Sequence, residues 1–152
     1  MFIQTNDRLV NLKNVSNINV LHERDRIIFN MNYNIEMPSN QWNDSKLISD
    51  YVYWDGVNKE DFLQNLVFLN ENKYFQDNFI DQIDGMGYIN INEISSVKFS
   101  EKKNRVIFNL SHPVTFTDFN NNNKITSEFV YVNCKNIEQF NDYAEYLKKY
   151  LK

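Results

Sequence analysis

The sequence predicts an α+β fold in which a unit of about four antiparallel strands and one closing helix occurs twice in tandem. Three observations predict it: the chain is self-similar along its length, short segments of branched and aromatic residues recur between polar turns, and each copy ends in a capped helix with an apolar stripe. The copies span residues 1–77 and 78–152.

The repeat is read residue by residue. VNLKNVSNINV (Val10–Val20) lies over ININEISSVKF (Ile89–Phe99), with Asn11 over Asn90 and Ser16 over Ser95. RIIFNM (Arg26–Met31) then matches RVIFNL (Arg105–Leu110) without a gap. After a slip of one residue, KLISDYVYWDGVNKEDF (Lys46–Phe62) aligns with KITSEFVYVNCKNIEQF (Lys124–Phe140), and Leu69 over Leu147 extends the match. Identities kept in constant order over two such stretches imply duplication.

The stretches 8–12, 16–21, 26–34 and 48–54 of the first copy carry the composition of strands and are separated by polar turns. In Asp50–Trp54, Tyr51 and Tyr53 alternate with Val52 and Trp54, as Phe129 and Tyr131 alternate with Val130 and Val132 later. Both faces are rich in large side chains, which predicts a central strand. The helices start at Asn58, with Asp61 three residues on, and at Asn136, with Gln139 three residues on. In each, the asparagine oxygen can satisfy a backbone amide that has no partner within the helix. Phe62, Leu66 and Leu69, and then Phe140, Ala144, Leu147 and Leu151, fall at helical spacing and form the core stripes. Between the copies, Asp84-Gly85-Met86-Gly87 holds two of the three glycines and reads as the seam turn. A lone copy would leave a sheet face bare, so the two are expected to pack as a pseudo-twofold pair.

The composition bounds the function. In 152 residues, 42% are hydrophobic and 24% charged, which is ordinary for a globular protein. No apolar run approaches the length of a membrane helix, no signal-peptide order opens the chain, and a single cysteine fits a reducing compartment, so a cytoplasmic protein away from membranes is expected. Abundant asparagine beside one alanine and four arginines reads as codon bias, and Asn120–Asn123 as a polar loop tip.

The chain carries few signals of chemistry. There is no phosphate-binding glycine loop, paired-histidine helix, paired-cysteine motif or serine elbow, so no catalytic residue, metal site or cofactor is assigned. His22 and His112 align with Glu101 and Tyr33 of the opposite copies and fall outside the repeated framework. Both read as surface or turn histidines. His112-Pro113 interrupts a strand, as at an edge or a bulge. Cys134 replaces Gly56 beside the second helix cap, where a thiol can be activated by the helix start or can simply fill space.

Charge separates the copies. Residues 1–77 carry seven basic against eleven acidic residues, whereas residues 78–152 carry nine of each. Lys98, Lys102, Lys103 and Arg105 gather around one hairpin turn of the second copy, opposite Arg24 and Arg26 of the first. Trp42, in the polar loop PSNQWNDS (Pro38–Ser45), either folds back on the sheet or anchors a partner. The candidate partner-binding residues are therefore Trp42, Lys102, Lys103 and Arg105.

The order VNLKNV, charged turn, RIIFN, strand and capped helix resembles small bacterial and phage proteins of unknown function that carry one such unit. That resemblance implies architecture and no activity. In arrangement alone, two units of strands and a helix are also similar to Pur-type and Whirly-type single-stranded nucleic-acid binders, whose sequence motifs are not found here. The leading expectation is a non-enzymatic module that offers a sheet face, a strand edge or the Trp42 loop to a protein partner, and a homodimer is one arrangement this allows. Single-stranded nucleic-acid binding is the alternative, disfavoured by the net charge of −4 and the few arginines. An enzyme ranks third, since His22, His112 and Cys134 would have to converge with carboxylates.

Overall fold

The computed structural model describes residues 1–38, 45–117 and 124–151. The first unit runs β1 (Phe2–Gln4), β2 (Leu9–Asn11), β3 (Val15–Leu21), β4 (Arg26–Pro38), β5 (Ser45–Asp55) and α1 (Lys59–Glu71), followed by a short α2 (Lys73–Asn78). The second repeats the order as β6 (Phe79–Asp81), β7 (Gly87–Asn90), β8 (Ile94–Ser100), β9 (Arg105–Thr117), β10 (Lys124–Asn133) and α3 (Ile137–Tyr150). The fold is α+β, with two strand-rich sheets in contact as a pseudo-twofold pair. Among the described residues each unit holds five strands rather than four, because an additional three-residue strand, β1 or β6, pairs with the next.

Asparagine sets much of the local geometry. Asn58 Oδ1 accepts from the amide of Asp61, and Asn136 Oδ1 from that of Gln139, both at 2.9 Å, as the sequence predicts. Asn11 and Asn90, matched in the repeat, likewise cap the single 3₁₀ turns Leu12–Asn14 and Ile91–Glu93 that lead into β3 and β8. The β3–β4 and β8–β9 turns each hold a left-handed residue, Asp25 at φ 49° and Asn104 at φ 46°, residue types whose short polar side chains tolerate that region.

All pairing is antiparallel. One sheet has the order β5-β4-β3-β7-β6, a second β10-β9-β8, and β1 and β2 form a separate hairpin. The predicted central placement of the strand containing Tyr51 and Tyr53 is corrected: β5 and β10 each lie at a sheet edge. Their outward aromatics are exposed and stack beside one another under arginine. Tyr51 and Tyr53 sit 5.0 Å apart with Arg26 4.1 Å above Tyr53, and Phe129 and Tyr131 sit 4.7 Å apart with Arg105 4.6 Å above Tyr131.

Two cores result. Ile18, Ile27, Phe29, Trp54, Phe62 and Leu69 anchor the first, and Val106, Phe108, Val132, Phe140 and Leu147 the second, so the predicted helix stripes face inward. The β6–β7 hairpin is their common wall. Phe79 and Tyr88 pack into the first core, while the alternate residues Ile80 and Ile89 pack into the second. This second-unit hairpin also completes the first-unit sheet, with Asn17 opposite Ile89, Ile18 opposite Tyr88 and Asn19 opposite Gly87.

Gly56 marks where the first unit is packed to its limit. A Cβ there would stand 2.6 Å from Phe62 Cβ, closer than side chains approach. Gly56→Ala is expected to cost about 1–3 kcal/mol by overpacking the start of α1. Urea denaturation checks it, and a change within about 0.5 kcal/mol, the range of an ordinary surface substitution, would refute the steric reading.

Candidate functional site: an open strand edge beside the third helix

β3 and β8 are the same strand in the two units, and the fold treats them differently. β3 is flanked by β4 and β7 and is almost wholly buried. Among the described residues β8 pairs with β9 alone and ends its sheet, and Ser95, Ser96, Lys98 and Phe99 are exposed. Beside this edge lies a groove of about 500 Å³ between β8 and the end of α3, lined by Ile94, Val97, Phe99, Leu147, Tyr150 and Leu151. By the repeat, Ile94, Val97 and Phe99 stand where Val15, Ile18 and Val20 stand in the first unit, all three of them fully buried. The groove is thus the counterpart of the space that Tyr88 and Phe79 enter in the first unit.

Cations border the groove. Lys148 lines it and bonds Glu145 at 2.9 Å, and Lys98 projects from the edge strand itself. At the end of β8 the turn Glu101–Lys103 exposes Lys102 and Lys103 to solvent. Of the predicted partner-binding residues, Lys102 and Lys103 therefore lie next to the open edge. Arg105 is a framework residue: its Nε donates to Asn133 Oδ1 at 2.6 Å and its guanidinium lies over Tyr131, as Arg26 engages Asp55 and Tyr53 in the first unit. Trp42 lies outside the described residues.

Among the described residues, His22, His112 and Cys134 lie apart from one another, each with its own structural neighbours. His22 Nε2 is 3.0 Å from the Gly85 carbonyl and its ring is edge-on to Phe62. His112 Nδ1 meets Glu93 Oε2 at 2.7 Å, and Glu93 Oε1 accepts from Asn32 of the first unit at 2.9 Å. Glu93 is buried, so this trio braces the seam between units, with both carboxylate oxygens satisfied. His112 falls in the stretch where the β9–β10 register shifts, in accord with the predicted bulge. Burial pushes the Cys134 thiol up, which opposes a reactive thiolate and favours the space-filling reading. Among the described residues no three metal-ligating side chains come together, and no helix is long and apolar enough to cross a membrane.

The open edge is not readable from the repeat alone, since β3 and β8 share one pattern. One signal does distinguish them. Asn17, Asn19 and Leu21 of β3 are Ser96, Lys98 and Ser100 in β8, and a lysine is a common guard of an exposed strand edge. Comparison with protein-family models, with curated proteins and with solved structures gives no match.

Proposed function

We propose that this protein is a binding module without chemistry of its own, which takes an extended segment of a protein partner onto the free edge of β8. The observation that carries this reading is internal: the corresponding edge of β3 is completed by β7, with Tyr88 entering the first core, whereas β8 keeps the edge and an apolar groove beside it. Strand addition draws affinity from main-chain hydrogen bonds and specificity from alternate side chains in pockets. Lys98 serves both ends, since it discourages unselective pairing and attracts a segment bearing carboxylates.

The test is capture of partners by the full chain and by a Val97→Lys variant, followed by amide hydrogen exchange on the complex. A captured protein that protects the amides of 94–100, and is lost with Val97→Lys, supports the reading. Protection confined to another surface, including the loop that carries Trp42, overturns it.

A second reading, single-stranded nucleic-acid binding, draws on the exposed Tyr51–Tyr53 and Phe129–Tyr131 pairs beside arginine. Anisotropy of labelled single-stranded DNA and RNA at two salt concentrations decides it. Micromolar binding that weakens steeply with salt is its signature, and silence at low salt removes it.

A further inference from the structure

Resting on that reading, we infer the chemistry of the guest: an extended, antiparallel segment in which a glycine is followed at once by an aromatic residue, with carboxylates preceding the pair. The chain supplies its own template. Transferring the β3–β7 register through the repeat places the guest's counterparts of Gly87, Tyr88 and Ile89 opposite Lys98, Val97 and Ser96. Each position then has a physical requirement.

Opposite Val97 the guest side chain points to the helix-covered face, because Val97 pairs with the buried Phe108. It therefore enters the groove beside Tyr150 and Leu151, as Tyr88 packs edge-on against Phe75 at 4.7 Å in the first unit. A bulky aromatic fills that space. Opposite Lys98 the guest must pass close to the strand. At the template position Gly87, at φ 157°, a Cβ would land on the carbonyl oxygen of Ile18, so only glycine follows that path. Opposite Ser96 the side chain faces outward, where no second core waits, and a polar or acidic residue is suited. Lys98 and, past the end of β8, Lys102 and Lys103 supply the field for carboxylates that precede the glycine, where the template carries Asp81 and Asp84.

The same register explains why the guest is not a second copy of this chain. The β1–β2 hairpin is the free counterpart of β6–β7, and its Phe2 and Leu9, 60% and 62% exposed, stand where Phe79 and Tyr88 stand. Yet Arg8 occupies the place of Gly87. On β8 of another molecule it would meet the carbonyl that glycine avoids and would face Lys98 directly, a like-charge pair across strands. Arg8 and Lys98 thus bar head-to-tail growth and keep the edge for a foreign strand.

The probe is a fluorescent peptide of residues 79–90, FIDQIDGMGYIN, titrated into the full chain, with Gly87→Val and Tyr88→Ala versions of the peptide. Expected is saturable binding that weakens at least about tenfold in either altered peptide, equivalent to roughly 1.4 kcal/mol or more, and that a Val97→Lys chain loses. Equal binding of the parent and Gly87→Val peptides overturns the inference. So does failure of all three peptides. If a captured partner nevertheless protects 94–100, strand addition stands and only the guest chemistry falls. A chain that self-associates in sedimentation, and is dispersed by Val97→Lys, overturns the foreign guest in favour of a second copy.

Discussion

Gly87→Ala should remove roughly 3 kcal/mol or more of stability, a large effect for one methyl group on a strand. Two terms add. The new Cβ is directed at the Ile18 carbonyl, a backbone atom that cannot swing aside as a side-chain tip can, and the φ of 157° is one that non-glycine residues avoid. Relief requires β7 to move away from β3. That movement would break the three-residue pairing and disturb Tyr88 in one core and Ile89 in the other. It would also weaken the buried bond from Asn90 Nδ2 to the Val15 carbonyl, 2.8 Å long. Urea denaturation of the variant and the parent measures the loss. A difference under about 1 kcal/mol would mean that the β3–β7 contact yields easily, and would remove the steric argument for a glycine in the guest strand.

Much of this architecture was legible in the sequence because duplication writes each local signal twice. The helix caps at Asn58 and Asn136, the stripes of α1 and α3, and the turns before Arg26 and Arg105 were readable because they depend on neighbours within a few residues. The short strands β1 and β6 were not. Three residues carry too little alternation to register, even where, as in Phe79-Ile80-Asp81, two of them are good strand formers. The edge positions of β5 and β10 were misread for a related reason. Alternating large residues on both faces suggest two covering layers, but the outward aromatics here stack laterally under arginine. The candidate site was legible only in part. Lys102 and Lys103 marked its neighbourhood, but whether an edge is filled depends on where the other unit's hairpin docks, which no local pattern records.

That dependence leads to the second large effect. A fragment of residues 1–77, cut at the seam the repeat suggests, should fail to fold cooperatively, whereas residues 1–90 carrying Ile80→Thr and Ile89→Thr should fold. The shorter fragment contains the entire first repeat, yet it lacks Phe79 and Tyr88, which close the first core, and the strand that completes β3. Phe75 would also lose its stack on Phe79 at 4.9 Å. Burying Phe79 and part of Tyr88 contributes about 3 kcal/mol, a large share of the roughly 5–15 kcal/mol on which a domain depends. The threonines keep β-forming side chains while removing the apolar face that the second unit would otherwise cover. Amide dispersion in NMR spectra and the cooperativity of urea unfolding distinguish the fragments. If residues 1–77 unfold with the same midpoint as residues 1–90, the first unit closes its own core, and the β6–β7 hairpin is then no guide to what the β8 edge receives. If only the longer fragment folds, a strand from outside the unit is part of what makes the unit stable, and among the described residues the outer edge of β8 receives no such strand.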